Sequence, residues 1–333
     1  MRYLHSICAA ITCLLLTFSC SSGEKVVQMP SLDGIGLSGL YAGKIGERLF
    51  VAGGCNFPDK PLTEGGKKKF YDEIWALGDE GWDLMGTLPE PSAYGAYLCS
   101  DDGILIMGGA NADGTSDKVW LLSSENGTEE LDPLPKPLEQ AAWYFINGRI
   151  YLAGGLSNGE PSLEVFSFDD GEWTAIATLP RPLVQGIATM SGDTLCIWGG
   201  FDPPAKEAVA GGYALDLKTG EWSPLQAGCT FVGASPLDGY ATGGCDTEIF
   251  TAAQHLSGEA LLEYQLQPIE YYRFRPELLR FNPESLQWEL VAQYPHLARA
   301  GAAIARYGNG IVTVGGELKP GVRTPEVWMI TLD

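Results

Sequence analysis

Histidine is scarce in this chain, with only three among 333 residues. The two that follow the N-terminal segment, His255 and His296, are too few for a copper or iron site built on several imidazoles. Cysteine never occurs in a CxxC pair, so the usual zinc-ligand spacing is missing. Five cysteines follow residue 20, and an odd number of cysteines does not form a disulfide framework. The sequence therefore predicts no metal and no cofactor. A disulfide between Cys229 and Cys245 and a pair of free thiols both stay open.

Charged residues are also few, at 19%, and they are unbalanced: 42 acids against 21 bases give a formal net charge of −21. So negative a surface repels phosphate backbones, which excludes nucleic acid as a partner. An anionic ligand would need a local cation to bind against the overall field. Hydrophobic residues make up 45% of the chain, enough for a large core, and 43 glycines with 21 prolines favour many tight turns.

The chain lacks an apolar run long enough to cross a bilayer, for which about 20 residues are needed. The run from Ile7 to Phe18 is shorter, follows a basic start and has the character of an export signal. Its end, TFSCSSG, resembles a bacterial lipoprotein signal. We therefore expect residues 1–19 to be a signal peptide and Cys20 to be lipidated, with an ordinary secretory signal as the alternative. The expected location is the cell envelope, as a periplasmic or outer-membrane lipoprotein whose only membrane contact is its lipid.

A repeat runs through the rest of the chain. Six apolar runs end in a glycine pair, at residues 53, 108, 154, 199, 243 and 315, and an alternating strand pattern follows each pair. In four repeats a tryptophan comes next: Trp82, Trp173, Trp222 and Trp288. This pattern resembles the kelch repeat, whose units are four-stranded β-sheets arranged as propeller blades. The sequence thus predicts an all-β fold, with residues 20–333 forming a single six-bladed kelch-type propeller.

The last repeat stops at EVWMITLD, without a fourth strand. The segment Lys25–Pro30, KVVQMP, echoes the fourth strands WDLMGTLP and WTAIATLP. We predict that this N-terminal strand completes blade 6 and closes the ring, which leaves no unpaired sheet edge there. The alternative is a disordered lipoprotein tether, which should be more polar than KVVQM.

We letter the four strands of each blade a to d in the order of the repeat. Because neighbouring strands in a blade are antiparallel, the b–c and d–a loops lie on one face of the propeller. Two b–c loops are long, roughly Cys55 to Phe70 and Cys245 to Pro276, and loops of that length are usually functional. A polar mouth on this face suits a sugar, although a propeller mouth is also polar because it faces water. The d–a loops contribute Tyr94, Gln140, Arg181, Gln185, Thr230 and Arg299. The candidate sugar-binding residues are Asn56, Asn111, Arg181, Asp246 and Arg299.

Glu317 is the one acid directly after a glycine pair, and it lies in GGELKPGVRTPEVW, six residues before Arg323. This stretch resembles the active-site segment of the N-acetylneuraminate epimerases, or sialic acid mutarotases. The resemblance implies that Glu317 is the catalytic acid/base and that Arg323 holds the carboxylate of the sugar. GGCNFPDKPLTEGGKKKFYDEIW, YYRFRPELLRFNPESLQW and ARAGAAI are also similar to family segments, so the likeness covers nearly all of the mature chain. The order of the blades is that of the family's cyclically permuted branch.

The resemblance implies an isomerase that interconverts the α and β anomers of N-acetylneuraminic acid. Opening the ring takes a proton from the anomeric hydroxyl and delivers one to the ring oxygen, and one carboxylate can shuttle protons in this way. The plain alternative is that Glu317 and Arg323 form an ion pair that braces the loop. A sialidase-like glycosidase and a non-catalytic kelch module that binds carbohydrate or protein are the rival functions. The oligomeric state is left open, a homodimer included.

Overall fold

The computed structural model describes residues 26–32, 34–100, 103–123, 127–226 and 230–332. The predicted signal peptide, the lipidation site Cys20 and the thiol of Cys229 lie outside these residues. Within the described ranges, no helix is both long and apolar enough to cross a membrane.

Six four-stranded antiparallel sheets form the blades of a β-propeller, as predicted. In blades 1 to 3, strands a to d are Tyr41–Ile45, Arg48–Ala52, Glu73–Leu77 and Trp82–Thr87; Ala96–Ser100, Gly103–Met107, Val119–Ser123 and Gly127–Leu131; and Ala142–Ile146, Arg149–Ala153, Glu164–Asp169 and Glu172–Thr178. In blades 4 to 6 they are Ile187–Ser191, Thr194–Trp198, Gly212–Asp216 and Trp222–Leu225; Ser235–Leu237, Tyr240–Thr242, Glu277–Asn282 and Gln287–Gln293; and Ala303–Tyr307, Gly310–Val314, Val327–Thr331 and Val26–Met29.

Burial falls from the second strand of a blade to its fourth. All five residues of Gly310–Val314 are buried, whereas five of the six in Trp82–Thr87 are exposed. The inner strands pack against neighbouring blades on both faces, so their sequences are continuous apolar runs rather than alternating ones. This is why the apolar runs before the glycine pairs mark the b strands.

The six glycine pairs connect each blade to the next. The first glycine of every pair has φ between 60° and 68°, and a Cβ added there would lie 2.2–2.4 Å from a carbonyl oxygen in the loop that enters the following blade. The second glycine donates its N–H to that same carbonyl, as Gly54 does to Ser92 at 2.8 Å. Both the left-handed backbone and the close approach require glycine, so the motif is a joint between blades.

The N-terminal strand closes the ring as predicted. Val26–Met29 pairs antiparallel with Val327–Thr331, with Val26 opposite Ile330 and Met29 opposite Val327. Two further contacts hold the segment: Trp82 Nε1 donates to the Pro30 carbonyl at 2.7 Å, and the backbone N–H of Leu32 donates to the Pro325 carbonyl at 2.9 Å.

The b–c loops carry additional structure at one end of the propeller. Five of them form two-stranded ribbons: Cys55–Asn56 with Lys69–Phe70, Ala110–Asn111 with Gly114–Thr115, Leu156–Ser157 with Glu160–Pro161, Phe201–Asp202 with Glu207–Ala208, and Glu317–Lys319 with Val322–Arg323. The blade 5 loop instead forms two helices, α1 (Thr247–Ala253) and α2 (Gly258–Leu266). Short 3₁₀ turns occupy Leu62–Glu64, Ile269–Tyr272 and Pro295–Leu297.

Candidate active site

A closed ring of main-chain hydrogen bonds surrounds the propeller axis at the loop-bearing end. Each blade contributes one residue from its entry loop, and the N–H of each residue donates to the carbonyl of the next around the circle at 2.8–3.2 Å. All six have left-handed backbone, with φ between 55° and 69°. We call this set the floor ring: Gly39, Tyr94, Gln140, Gln185, Gly233 and Gly301.

A cavity of about 410 Å³ lies at the floor ring; all six ring residues line it, and so do Tyr97, Trp143 and Ser235 on the a strands. The long b–c loops of blades 1 and 5 and the ribbon of blade 6 form its walls. This is the face that the loop lengths predicted. The wall residues with the chemistry of a binding site are Phe57, Lys68, Cys245, Glu317 and Arg323.

Glu317 and Arg323 face each other across the blade 6 ribbon. They are direct partners in the ribbon register, and Arg323 Nη2 lies 2.7 Å from Glu317 Oε2. The Glu317 side chain is 25% exposed and the Arg323 side chain 4%. The ribbon joins the blade through Ala300, which exchanges two backbone hydrogen bonds with Glu317 at 2.8 and 2.9 Å. Both side chains line the cavity, the carboxylate with more of its surface exposed than the guanidinium.

A small polar cluster positions the guanidinium of Arg323. Its Nε donates to Ser38 Oγ at 3.1 Å, and its Cζ lies 4.8 Å from the centre of the Phe57 ring. Ser38 in turn lies 3.3 Å from the Tyr94 hydroxyl, which contacts the Cys55 thiol at 3.0 Å. The Nη1 atom of Arg323 is buried and has no hydrogen-bond partner among the described residues. One nitrogen of the guanidinium therefore has no acceptor within the described part of the chain.

Burial raises the pKa of Glu317 above its ordinary value. The positive charges of Arg323 and Lys68 and a hydrogen bond from the Gly321 backbone act in the opposite direction, and burial outweighs them. For Arg323, burial lowers the pKa, but the nearby charge of Glu317 leaves it raised overall. A carboxyl group with a raised pKa at the wall of a cavity is suited to taking up and returning a proton.

Glu317 also borders a second cavity. This space of about 310 Å³ lies beneath α1 and α2, and it shares Cys245, Phe250, Glu317 and Pro320 with the first cavity. Its lining is mainly apolar and aromatic, including Tyr264 and Tyr272. The carboxylate therefore lies between two cavities with mainly apolar linings, and this low-polarity setting is consistent with burial raising its pKa.

Contacts with two other loops fix the turn of the ribbon. Lys319 Nζ donates to the carbonyl of Gln267, just after α2, at 2.6 Å. Gly321 has φ +81°, and a Cβ added there would lie 2.7 Å from the Cβ of Leu62 in the blade 1 loop. The glycine of the KPG motif is thus required both by its backbone conformation and by this close approach.

The five predicted sugar-binding residues do not line the cavity of the floor ring. Each of them has partners within the protein. Asn56 bonds to Gly36 and Tyr71, Arg181 to Asp202 and Glu207, and Arg299 to Gly315 and Glu326. Asp246 caps α1 and pairs with Arg273, and the side chain of Asn111 accepts a hydrogen bond from the N–H of Asp113. Asp246 lines the second cavity, and Asn111 lines an open groove that shares Lys68, Tyr94 and Gln140 with the main cavity. Contact of these five residues with a sugar stays a prediction.

Sequence reasoning missed Ser38 and the three glycines of the floor ring. Ser38 lies 285 residues from Arg323 in the chain, and no local pattern links the two. In five of the d–a loops, one residue forms a β-bridge with the residue that follows a glycine pair. An alignment of the loops on this position would have placed Ser38 beside Ala93, Glu139, Val184 and Ala300. For a metal ion, the described part of the chain offers no group of three His, Cys, Asp or Glu ligands.

Comparison with known proteins identifies relatives of one kind by two routes, a family model and individual proteins. The family model for N-acetylneuraminate epimerase matches residues 24–130 and 238–333, which include Glu317 and Arg323. An N-acetylneuraminate epimerase of Brucella melitensis biotype 1 is 35% identical over 113 residues, covering 30% of this chain and 29% of the relative. The enzyme of Yersinia enterocolitica is 27% identical over 217 residues, covering 62% of this chain and 47% of the relative. The enzyme of Vibrio vulnificus is 39% identical over 101 residues, covering 27% of this chain and 26% of the relative. The matches thus span less than half the length of each relative. With more than half of its residues matched by the family model, the chain belongs to the N-acetylneuraminate epimerase family.

Proposed function

We propose that this protein is a mutarotase that interconverts the α and β anomers of N-acetylneuraminic acid, with Glu317 as acid/base and Arg323 as the carboxylate ligand. The observation that carries the proposal is the 2.7 Å contact between Glu317 and Arg323 at the wall of a cavity large enough for a sugar. Membership of the epimerase family supports the substrate.

The guanidinium suits a substrate carboxylate. Arg323 is held by Ser38 and Phe57, and its Nη1 has no partner within the described residues. A planar guanidinium can bind a carboxylate through two parallel hydrogen bonds, which fixes the geometry as well as the position. In a 2-keto sugar acid the carboxylate is attached to the anomeric carbon itself. Binding it at Arg323 therefore brings the reacting carbon next to Glu317.

Ring opening then needs proton transfer and the cleavage of one C–O bond. Glu317 takes the proton of the anomeric hydroxyl while the bond between the anomeric carbon and the ring oxygen breaks, and the same proton passes from Glu317, with the help of water, to the ring oxygen. The open-chain ketone recloses on its other face by the reverse steps. Acid/base catalysis of this kind contributes about 10²–10⁴-fold, and a raised pKa at Glu317 places the carboxyl group closer to the working pH.

The test is to follow both anomers by proton NMR after adding the purified protein to freshly released α-N-acetylneuraminate. We expect the approach to the equilibrium mixture to be faster than in buffer, with the final ratio unchanged. The α-methyl glycoside of the same sugar is the matched control substrate. It carries the same carboxylate but no anomeric hydroxyl, so a mutarotase leaves it intact.

The outcomes separate the rival functions. Hydrolysis of the methyl glycoside would identify a sialidase-like glycosidase and refute the proposal. Binding of the free sugar without faster interconversion would leave a carbohydrate-binding module as the function.

A further inference from the structure

The floor ring is divided into two unlike halves. Three consecutive members bear side chains, and Gln185 Nε2 donates to Gln140 Oε1 at 2.6 Å within this half. The other three members are glycines, which enter blades 5, 6 and 1. All six share the same left-handed backbone, so backbone conformation does not account for the division: tyrosine and glutamine occupy it at φ 65°, 55° and 61°.

Steric contact accounts for only one of the glycines. A Cβ added at Gly39 would lie 2.7 Å from the ring of Tyr94. At Gly233 the nearest atom to such a Cβ is the Cβ of Ala300 at 3.4 Å, and at Gly301 it is the Gly39 nitrogen at 3.8 Å. Ordinary contact distances at these two positions leave room for a side chain, which would extend into the cavity that both residues line.

The glycine half lies next to the acid/base pair. Gly301 directly follows Ala300, the backbone partner of Glu317. Gly39 directly follows Ser38, whose hydroxyl accepts from Arg323. Gly233 follows Val232, whose carbonyl accepts the N–H of Cys245, another residue of the cavity wall. The three glycines, Glu317 and Arg323 line the same cavity, so the missing side chains leave space in the cavity that holds the pair.

We propose that Gly233 and Gly301 are specificity-determining residues that keep the floor open for the sugar ring of a 2-keto acid. The ring of the substrate lies over these glycines, and its hydroxyl groups face the amides of Gln140 and Gln185 on the other half. This inference rests on the proposed function, because it assigns a place to the substrate of that reaction.

The test replaces a glycine of the floor ring by glutamine, a residue that already occupies two other positions of the ring. Gly301→Gln reproduces the residue type of Gln140 and Gln185 in the same backbone conformation. The matched control is Gly192→Gln, since Gly192 has φ +55° and no atom within 4 Å of an added Cβ, in a turn that does not line the cavity. Both variants carry the left-handed strain, and only Gly301→Gln occupies the site. We expect Gly301→Gln to lower kcat/KM for N-acetylneuraminate about 10-fold or more, mainly through KM, while Gly192→Gln keeps the wild-type value.

A folded Gly301→Gln protein whose kcat/KM matches that of the control would overturn the inference. If Gly301→Gln does not fold, Gly301→Asn and Gly233→Gln provide the same readout, since asparagine tolerates left-handed backbone and Gly233 has similar space. A wild-type protein that does not interconvert the anomers refutes the proposed function instead, so the two failures are distinguishable.

Discussion

Burial raises the pKa of Glu317, and nearby positive charges act against it. Arg323 and Lys68 supply the positive charge that opposes burial, and the two cations differ in kind. Arg323 is buried and held by Ser38. Lys68 is exposed at the rim of the cavity, with its ammonium 5.0 Å from the centre of the Tyr94 ring. In a protein of net charge −21, these cations also favour the approach of an anionic sugar.

The pH dependence of activity follows from this balance. Glu317 must be ionised to take a proton, so kcat/KM falls as the pH drops through its pKa, which lies above the ordinary glutamate value. Lys68→Gln removes a charge that lowers this pKa, so the pKa rises further and the acid limb moves to higher pH. Lys67→Gln, at the neighbouring exposed lysine, is the control and should leave the limb in place. The measurement is kcat/KM from pH 4 to 8 for the wild type and both variants, corrected for the spontaneous reaction. An acid limb that does not move in Lys68→Gln would contradict the role of Lys68 in setting the pKa of Glu317.

At the residue scale, the sequence singled out Glu317 and Arg323 but not their surroundings. The two are recognisable because both belong to one short segment that resembles a family segment; their catalytic roles stay a prediction. The other candidates were selected as polar residues on the correct face, but nearby partners satisfy them: Arg299 is buried and bonded to Glu326, and Arg181 to Asp202. Which polar residue remains available to a ligand depends on packing between distant segments, and a single sequence does not contain that information.

At the scale of elements, the blade 6 ribbon is held between two loops whose contacts are made at its turn. Lys319 bonds to the carbonyl after α2, and Gly321 packs against Leu62. The sequence predicted that both neighbouring loops are long, but not that one of them is helical. Helices α1 and α2 have only 7 and 9 residues, and helices so short have weak periodic patterns and depend on tertiary packing.

Gly321→Ala tests whether the ribbon turn positions the pair. The new Cβ would meet Leu62 and strain the left-handed backbone, at a cost of about 1–3 kcal/mol. We expect the ribbon to shift and kcat/KM to fall. Gly148→Ala is the matched control, since Gly148 has φ +78° and nothing within 4 Å. It carries the same kind of backbone strain without a clash, so it should lose some stability in urea denaturation with no loss of activity. Equal activity of the two variants would show that the turn does not position Glu317 and Arg323.

At the scale of the whole molecule, the propeller depends on a joint between the two ends of the described chain. The missing fourth strand of the last repeat predicted this closure, because an edge strand without a partner is unfavourable in a propeller. The glycine pairs predicted the number of blades for a similar reason, since each pair is a joint between neighbours. Long-range features of this kind are predictable because they repeat.

Removal of the closing strand should destabilise the ring. A chain beginning at Pro30 lacks the four residues that pair with Val327–Thr331. With about one ladder hydrogen bond for each of these four residues and about 1 kcal/mol for each bond, we expect a loss of roughly 4 kcal/mol in the free energy of unfolding. A chain beginning at residue 25 is the control. A synthetic peptide of residues 24–31 should restore the stability of the shorter chain by adding a strand to the open edge. Equal denaturation midpoints for the two chains would contradict the closure.

The most direct test of the proposed acid/base role is the rate of anomer interconversion by Glu317→Gln, measured by proton NMR beside the wild type. Glutamine is nearly the same size but cannot accept the proton, so we expect a kcat lower by about 10²–10⁴-fold, with N-acetylneuraminate still bound. Glu130→Gln, which alters an exposed ion pair with Lys118 on blade 2, is the control and should keep the wild-type rate. A Glu317→Gln protein that retains most of the wild-type rate would show that this glutamate only braces the ribbon.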